Sequence, residues 1–358
     1  MSVAEYLIGD TFDVVRTLEQ ASVDLVLTSP PFLALRSYLP ADHPDKHKEI
    51  GSEPTPAEFL DTLLALTAEW GRVLAPHGSI AVELGDTYAG TNTGGGKVGT
   101  LDGESRRAEA SDHKYAGPWA NPGYGDGFKG GNPGGAGWPL DKSLCGIPHL
   151  YHLSLAYGRN LLTGEPSPAG QWRVRNVVAW CRPNPPVGAL GDKFRPATSY
   201  MTIATRARDR WFDLDAVRTE AQQPDKAGDT SDSSGRNGAP GHYGAHPAGA
   251  PPLDWWNVST EPYSGSHYAT WPRKLLDRPI KAMCPIQVCT TCGEPRRRIV
   301  GEADYVTADL QGGPKGDTTD NSGRNGAPGR FGTASAPTIG WTDCGHGSWA
   351  CRSCKVVV

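Results

Sequence analysis

The segment that most constrains the fold is a short apolar run that stops at two prolines. Val23–Thr28 reads VDLVLT and is followed by Ser29, Pro30, Pro31 and Phe32. Such a run predicts a buried strand, and because proline cannot donate to a sheet ladder, the strand must end there. The stiff loop that follows presents a hydroxyl, a carbonyl and an aromatic ring at the carboxyl end of a strand. A plain strand-ending turn is the alternative interpretation.

Helical and strand patterns alternate on both sides of this run. This alternation predicts an α/β fold with a mostly parallel sheet, whose ligands bind at the carboxyl ends of the strands. The predicted strands are Glu5–Gly9, Ser79–Leu84, Arg173–Trp180 and Ser199–Ala204, and the predicted helices are Phe12–Gln20, Thr55–Leu74, Gly146–Tyr157 and Arg273–Ala282.

Glycine and proline are concentrated in three segments, 90–137, 222–252 and 311–337. The chain holds 45 Gly and 31 Pro in 358 residues. Because these segments lack apolar periodicity, we interpret them as long surface insertions. Two of them share a near-copy, at Gly228–Gly244 and Gly316–Gly332. Duplicated linker sequence and a pair of ligand-contacting loops are both compatible with this repeat.

Six of the eight cysteines lie in the last quarter of the chain. Cys289 and Cys292 form a CxxC pair that closes on glycine, a spacing typical of a structural zinc site. Two candidate pairs could complete it, Cys351 with Cys354 or Cys344 with His346. Free thiols or a disulfide are the alternative. We therefore predict a catalytic region at 1–283, a zinc-ribbon-like insertion at 284–355 and the start of another strand at 356–358.

The net charge of -4 conceals a basic middle segment. Arg159–Arg218 holds ten Lys or Arg and five acids, a local charge of +5. Clustered arginines can contact DNA phosphates, although a solvated face is the alternative. The candidates are Arg173, Arg175, Arg206, Arg208 and Arg210, with Arg296 in a second cluster.

The sequence gives no sign of membrane insertion or export. No stretch approaches 18 apolar residues, which excludes a membrane-spanning helix. Met1–Asp10 carries two acids and lacks the apolar core of a signal peptide. We expect a cytoplasmic protein of a bacterium or of a phage-infected host.

The motif order resembles that of the DNA amino-methyltransferases, the N4-cytosine and N6-adenine group, in their beta-type arrangement. IGD at Ile8–Asp10 precedes VDLVLTSPPF, and GSIAVELGDTYAG (Gly78–Gly90) follows. NVVAWCRPNPPV (Asn176–Val187) and WWNVSTEPYSGSHYATWPRKLLDRPI (Trp255–Ile280) also agree in order. The resemblance covers about half the chain and implies a Rossmann-like methyltransferase sheet.

By this resemblance, the protein moves a methyl group from S-adenosylmethionine to the exocyclic amine of a base flipped out of double-stranded DNA. Ser29 and Pro30 would hold the amine, Pro31 would shape the loop and Phe32 would stack on the base. Serine at the first of these positions is commoner in cytosine-N4 enzymes, so we expect cytosine, with adenine-N6 methylation as the alternative. The implied cofactor contacts are Asp10, Thr28, His267, Ala269, Thr270 and Pro272.

One family motif is missing. Members of this order carry an Asp-Pro-Phe-x-Gly-Ser-Gly turn after the segment that ends near Ile280, and this chain has none. We therefore expect an incomplete enzyme: a truncated gene product, a split one whose cofactor motif is carried by a second polypeptide, or a precursor part interrupted at that place. The competing hypothesis is a non-catalytic, zinc-ribbon DNA-binding fragment.

Overall fold

The computed structural model describes residues 5–35, 38–40, 42–90, 136–185, 193–219, 250–263, 270–301, 304–305, 334–335 and 338–350. These residues form two compact units. The first comprises the described parts of Met1–Phe212 and Leu253–Cys284, and the second those of Asp213–Pro252 and Pro285–Cys351. Each of the three Gly/Pro-rich segments falls largely outside the described residues, as do both near-copies and 356–358.

A five-stranded sheet forms the centre of the first unit, in the order β1-β2-β4-β3-β5. β1 pairs with β2 and β3 with β5 in parallel, whereas β4 is antiparallel to both of its neighbours. Four of the five strands of this sheet therefore point in the same direction and β4 runs against them, so the sheet is mostly parallel, as predicted, with one antiparallel strand. The strands are β1 (Val23–Thr28), β2 (Leu74–Leu84), β3 (Arg173–Cys181), β4 (Thr198–Thr205) and β5 (Trp255–Asn257).

Four helices in the part of the chain that the structure describes accompany this sheet, within a few residues of their predicted bounds. Thr55 caps the second helix as its sequence indicated, with its hydroxyl accepting from the N–H of Glu58 at 3.3 Å. A single 3-10 turn covers Lys46–Lys48. The helices are α1 (Thr11–Thr17), α2 (Pro56–Val73), α3 (Ile147–Tyr157) and α4 (Arg273–Met283).

The apolar stripe of α2 fills the core against α1, α3 and the sheet. Phe59, Leu63 and Trp70 are buried on this stripe. Beside this stripe the hydroxyls of Thr67 and Tyr151 lie 2.8 Å apart, within hydrogen-bonding distance. This packing holds β1 and β2 side by side and so fixes the positions of the residues at their carboxyl ends.

The strand predicted at Glu5–Gly9 does not form. Ile8 is 98 % exposed and Tyr6 is 87 % exposed, so these apolar side chains have no partner surface among the described residues. The segment instead leads into α1, which Asp10 caps. A five-residue apolar run predicts a strand only where a neighbouring strand offers an edge, and the sequence pattern cannot show that edge.

The described residues of the second unit form three two-stranded sheets. β6 (Val288–Cys289) pairs with β11 (Trp349–Ala350), β7 (Arg298–Val300) with β10 (Thr338–Trp341), and β8 (Asp304–Tyr305) with β9 (Ala334–Ser335), all antiparallel. Arg298 also forms an ion pair with Asp213 at 2.7 Å. Across the described parts of both units, every helix is too short or too polar to span a lipid bilayer.

Candidate active site and cysteine–histidine cluster

The Ser29 hydroxyl and the Glu83 carboxylate meet at the carboxyl ends of two parallel strands. Thr28 is in register with Val82. The residues that follow them, Ser29 and Glu83, therefore lie side by side. Ser29 Oγ donates to Glu83 Oε2 at 2.6 Å. A hydroxyl that donates to a carboxylate keeps its lone pairs free to accept from a ligand.

Glu83 is only 2 % exposed, although it carries a carboxylate. Oε2 also accepts from the indole N–H of Trp271 at 3.2 Å. Its other oxygen, Oε1, is buried and has no hydrogen-bond partner among the described residues. A buried acceptor of this kind is costly unless something else pairs with it, so Oε1 is available to a ligand.

Sequence reasoning missed Glu83. The available signal was a single acid in the otherwise apolar strand SIAVEL. Its partnership with Ser29 depends on the register of β1 and β2, which local patterns do not reveal.

Arg182 lies on the same face of the sheet as Glu83. Its guanidinium stacks over the Trp180 ring at 5.0 Å, and Nη1 donates to Ser199 Oγ at 3.4 Å. Burial lowers the pKa of Arg182, and the nearby Glu83 acts in the opposite direction. A half-buried cation therefore accompanies the buried carboxylate.

The Phe32 ring rests directly on a glycine at the end of β2. A Cβ at Gly85 would lie 2.5 Å from Phe32 Cε2, so only glycine permits this approach. Gly51, at φ +93°, lies against the Phe32 carbonyl and accepts from the N–H of Ala34 at 2.8 Å. Pro30 is buried and Pro31 is half-buried. These contacts fix the loop after β1.

The carboxylate of Asp86, three residues after Glu83, binds backbone N–H groups. Its carboxylate accepts from the backbone N–H groups of Gly146 at 2.9 Å and Ile147 at 3.1 Å, at the start of α3. It also accepts from the N–H of Thr87 at 2.9 Å. The acid thus joins the end of β2 to α3.

The predicted cofactor residues are spread over several elements. Asp10 caps α1, with Oδ1 accepting from the N–H of Phe12 at 2.9 Å. Thr28 is buried at the end of β1, and Pro272 is the N-cap residue of α4. Thr270 lines a cavity of about 440 Å³ together with Trp271 and Tyr263. His267 and Ala269 lie outside the described residues.

Five of the predicted DNA-binding arginines lie at the other end of the sheet from Ser29. The start of β3 pairs with the end of β4, and β4 stops at Thr205, so the arginines that follow do not line one strand face.

Several of the guanidinium groups of these arginines contact backbone or aromatic groups. Arg173 donates to the Arg206 carbonyl, Arg175 Nη1 donates to the Arg208 carbonyl at 3.1 Å, and Arg210 stacks over Phe212 at 4.4 Å. Burial, with the nearby Arg175, lowers the pKa of Arg210 to about 10. Their binding to DNA stays a prediction.

In the second unit, four potential metal ligands converge. One ligand atom from each of Cys289, Cys292, Cys344 and His346 lies within 4.8 Å of all the others. His346 Nδ1 is 3.4 Å from the sulfur of Cys344 and 3.8 Å from that of Cys289. Of the two candidate pairs, the structure thus brings Cys344 and His346 close to Cys289 and Cys292. Cys351 and Cys354 lie outside the described residues.

Tight turns shape both sides of this cluster. Gly293 at φ +74° and Gly345 at φ +81° adopt the left-handed conformation that glycine favours. The N–H of Thr291 donates to the sulfur of Cys289 at 3.4 Å. The backbone N–H groups of Cys292 and Thr291 lower the pKa of Cys289 to about 6. Arg296, the sixth predicted DNA-binding residue, lies nearby in sequence and stacks over Trp349 at 4.3 Å.

The motif order implied a serine loop at the carboxyl edge of an α/β sheet, and the structure has Ser29 at that edge, next to a buried acid that the motif order did not imply. Comparison with known families shows the class of protein. The N6/N4 family model described as DNA methylase matches residues 23–287, and the chain belongs to this family. The sheet fits the Rossmann-like fold expected of it.

Among individual relatives, the type II methyltransferase M.Cfr9I of Citrobacter freundii is 27 % identical over 269 residues, which cover 75 % of this chain and 68 % of that protein. M.SmaI of Serratia marcescens, also a type II methyltransferase, is 23 % identical over 75 % of this chain and 71 % of its own. Among solved structures, the PvuII DNA methyltransferase (cytosine-N4-specific) is 14 % identical, with a TM-score of 0.41, over 78 % of this chain and 70 % of that one.

Proposed function

We propose that this protein transfers the methyl group of S-adenosylmethionine to N4 of a cytosine that is flipped out of double-stranded DNA. The observation that carries the proposal is the 2.6 Å hydrogen bond from Ser29 to the buried Glu83. Membership of the N6/N4 DNA methylase family supports the reaction class. Serine at position 29, which is commoner in the cytosine-N4 enzymes that the sequence resembles, supports cytosine.

The chemical problem is that the exocyclic amine of a base is a poor nucleophile, because its lone pair is delocalised into the ring. Ser29 Oγ and the Pro30 carbonyl are two acceptors for its two hydrogens. Holding these hydrogens favours a more tetrahedral nitrogen, whose lone pair can point at the incoming methyl group.

A proton must leave the nitrogen once the new N–C bond has formed. Glu83 can receive it, either directly at Oε1 or through Ser29, which passes its own hydroxyl proton to Oε2 and takes the amine proton in exchange. The positive charge that develops on nitrogen is thereby neutralised at the carboxylate. No covalent intermediate between enzyme and base is required.

The cavity beside Trp271 is the place where we propose that the cofactor binds. Its volume is about 440 Å³, and Tyr263 and Trp271 offer aromatic faces while Glu261 and Thr270 offer oxygen acceptors. Bound there, S-adenosylmethionine would supply an electrophilic methyl group on sulfur. Trp271 contacts both this cavity and Glu83, so the cofactor and the Ser29 loop would be neighbours.

We further propose that Cys289, Cys292, Cys344 and His346 bind one structural zinc ion. Tetrahedral ligands about 2.3 Å from zinc lie about 3.8 Å apart, close to the spacing of these four groups. Four protein ligands leave no open position for catalysis. Such an ion would join the turn after β6 to the segment before β11.

The function is tested by expression in a bacterial strain that lacks its own DNA methylases. Genomic DNA is digested to nucleosides and analysed by mass spectrometry, and single-molecule sequencing maps the modified positions. We expect N4-methyldeoxycytidine at a defined sequence, absent with Ser29→Ala and present with Ser79→Ala. Ser79 is a suitable control because its buried hydroxyl has no partner in the described structure. N6-methyldeoxyadenosine would overturn the choice of cytosine, and unmodified DNA despite folded protein would overturn the function.

A further inference from the structure

The Arg182 guanidinium is the strongest candidate for a further contact with a base bound at this site. We infer that Arg182 binds the ring acceptors of the target base, N3 and O2 of cytosine, and so makes the site selective for cytosine over adenine. This inference rests on the proposed methyl transfer and adds a specificity-determining residue to it.

The strand register places Arg182 on the same face of the sheet as Glu83, four residues beyond the position opposite Glu83. Glu83 pairs with Met201, which pairs with Val178, so these three side chains share one face of the sheet. Every second residue of a strand points to the same face, which brings Arg182 to the Glu83 side. The N–H of Arg182 donates to the Ala197 carbonyl at 2.8 Å, continuing the pairing of β3 with β4.

Arg182 has donors to spare. Its Nε is buried and has no hydrogen-bond partner in the part of the chain that the structure describes. Its contact with Ser199 Oγ is at the outer limit of hydrogen bonding, at 3.4 Å. Glu83 Oε1, on the same face, is an unused acceptor. A buried donor and a buried acceptor left open on one face are unfavourable without a ligand that pairs with both.

The pairing edge of cytosine matches this arrangement. It presents the N4 amine as a donor, followed by N3 and O2 as two acceptors. The protein presents acceptors at Ser29 and Glu83 and a guanidinium fork that can donate two parallel hydrogen bonds. Adenine offers its N6 amine and N1, but a C–H group where cytosine has O2. One guanidinium donor would then be left unpaired, which disfavours adenine.

Arg182 could instead serve only as the counter-ion of Glu83. In that case any cation at this position would suffice, and the ring nitrogen of the base would not matter. The two roles are separated by changing the shape of the cation and the acceptors of the base independently.

The experiment uses the full chain and a synthetic duplex that carries the mapped target, with either cytosine or 3-deazacytosine at the methylated position. The 3-deaza base keeps N4 and O2 and lacks the N3 acceptor. We expect Arg182→Met to lower kcat/KM on cytosine at least 100-fold and Arg182→Lys at least tenfold, with KM for S-adenosylmethionine within twofold of wild type. For wild type, kcat/KM should be at least tenfold lower on 3-deazacytosine than on cytosine. For Arg182→Met, the same change of base should lower kcat/KM less than threefold further.

Arg278→Met is the matched control, because Arg278 also stacks on a tryptophan, Trp256, at 5.4 Å. Thermal melting identifies any variant that does not fold, and Arg182→Lys then carries the comparison. The role of Arg182 would be overturned if Arg182→Lys were fully active. It would also be overturned if the loss of kcat/KM from Arg182→Met and the loss from 3-deazacytosine multiplied when combined. Neither result would touch the proposed function. Absence of transfer by wild type would overturn the proposed function and this inference together.

Discussion

Ser29 and Glu83 are 54 positions apart in sequence, yet their side-chain oxygens lie 2.6 Å apart at the ends of adjacent parallel strands. The pair joins a hydroxyl that can accept from an amine to a buried carboxylate that can take a proton. Neither residue suffices alone, since the hydroxyl is a weak base and the carboxylate is behind it. The proposed methyl transfer depends on this relationship.

The contact between Phe32 and Gly85 should be sensitive to a single methyl group. Gly85→Ala places a Cβ 2.5 Å from the Phe32 ring, which must move away from the position where it would stack on a base. We expect kcat/KM for DNA to fall by the equivalent of about 1–3 kcal/mol, the range for one base stacked on an aromatic side chain. Gly340→Ala is the control, because a Cβ at Gly340 would lie 3.9 Å from the nearest atom, Ile299 Cδ1. Unchanged kinetics for Gly85→Ala would show that the ring position is unimportant.

Asp86 should contribute to stability through α3. Asp86→Ala removes an acceptor from the N–H groups of Gly146 and Ile147, and we expect the free energy of unfolding to fall by about 1 kcal/mol, as for loss of a helix cap. Asp86→Asn keeps one carbonyl acceptor and should lose less. Urea denaturation measures both. Equal midpoints for wild type and Asp86→Ala would contradict the assignment.

Asp10 has a cap role in the structure and a cofactor role by resemblance, and the two can be separated. Asp10→Ser retains a good N-cap residue, so the melting temperature should stay near that of wild type, whereas Asp10→Ala should cost about 1 kcal/mol. If Asp10 also contacts the cofactor, KM for S-adenosylmethionine should rise about tenfold or more in both variants. An unchanged KM in Asp10→Ser would leave the cap as its function.

The cysteine–histidine cluster should bind one zinc ion per chain. Elemental analysis of purified protein should find one equivalent of zinc, lost in Cys289→Ser and in Cys344→Ser. Cys181→Ser, in the first unit, is the matched control and should retain it. A chelator should lower the thermal stability of the second unit while the core around α2 stays folded. Retention of zinc by both cluster variants would exclude this ligand set.

The four described helices and strands β1 to β4 were predictable because their signals are local. Thr55 followed by Pro56 indicated the start of α2, and the apolar spacing after it indicated the buried face. Val23–Thr28 was predicted with the bounds that the structure gives. The Ser29 loop was also predicted to lie at the carboxyl end of a strand, because the prolines mark where β1 must stop.

The errors concern contacts between segments distant in sequence. Glu83 was missed because its role follows from the register of β1 and β2, and the strand at Glu5–Gly9 failed because no edge pairs with it. The antiparallel direction of β4 follows from its register with β2 and β3, which local patterns do not show. The sequence left two pairs open for the cysteine site, and the pairing of β6 with β11 accompanies the approach of Cys344 and His346 to Cys289, while Cys351 and Cys354 lie outside the described residues.

The central claim is that Ser29 and Glu83 act as one unit in the transfer step. It is tested most directly by single-turnover methylation of the mapped duplex at saturating S-adenosylmethionine, with wild type, Ser29→Ala, Glu83→Gln and the double variant. We expect each single variant to be about 10²–10⁴-fold slower than wild type. The double variant should be no more than about fivefold slower than the slower single variant, because a coupled pair is lost only once. A double variant whose loss is the product of the two single losses, or a Glu83→Gln protein as fast as wild type, would contradict the account.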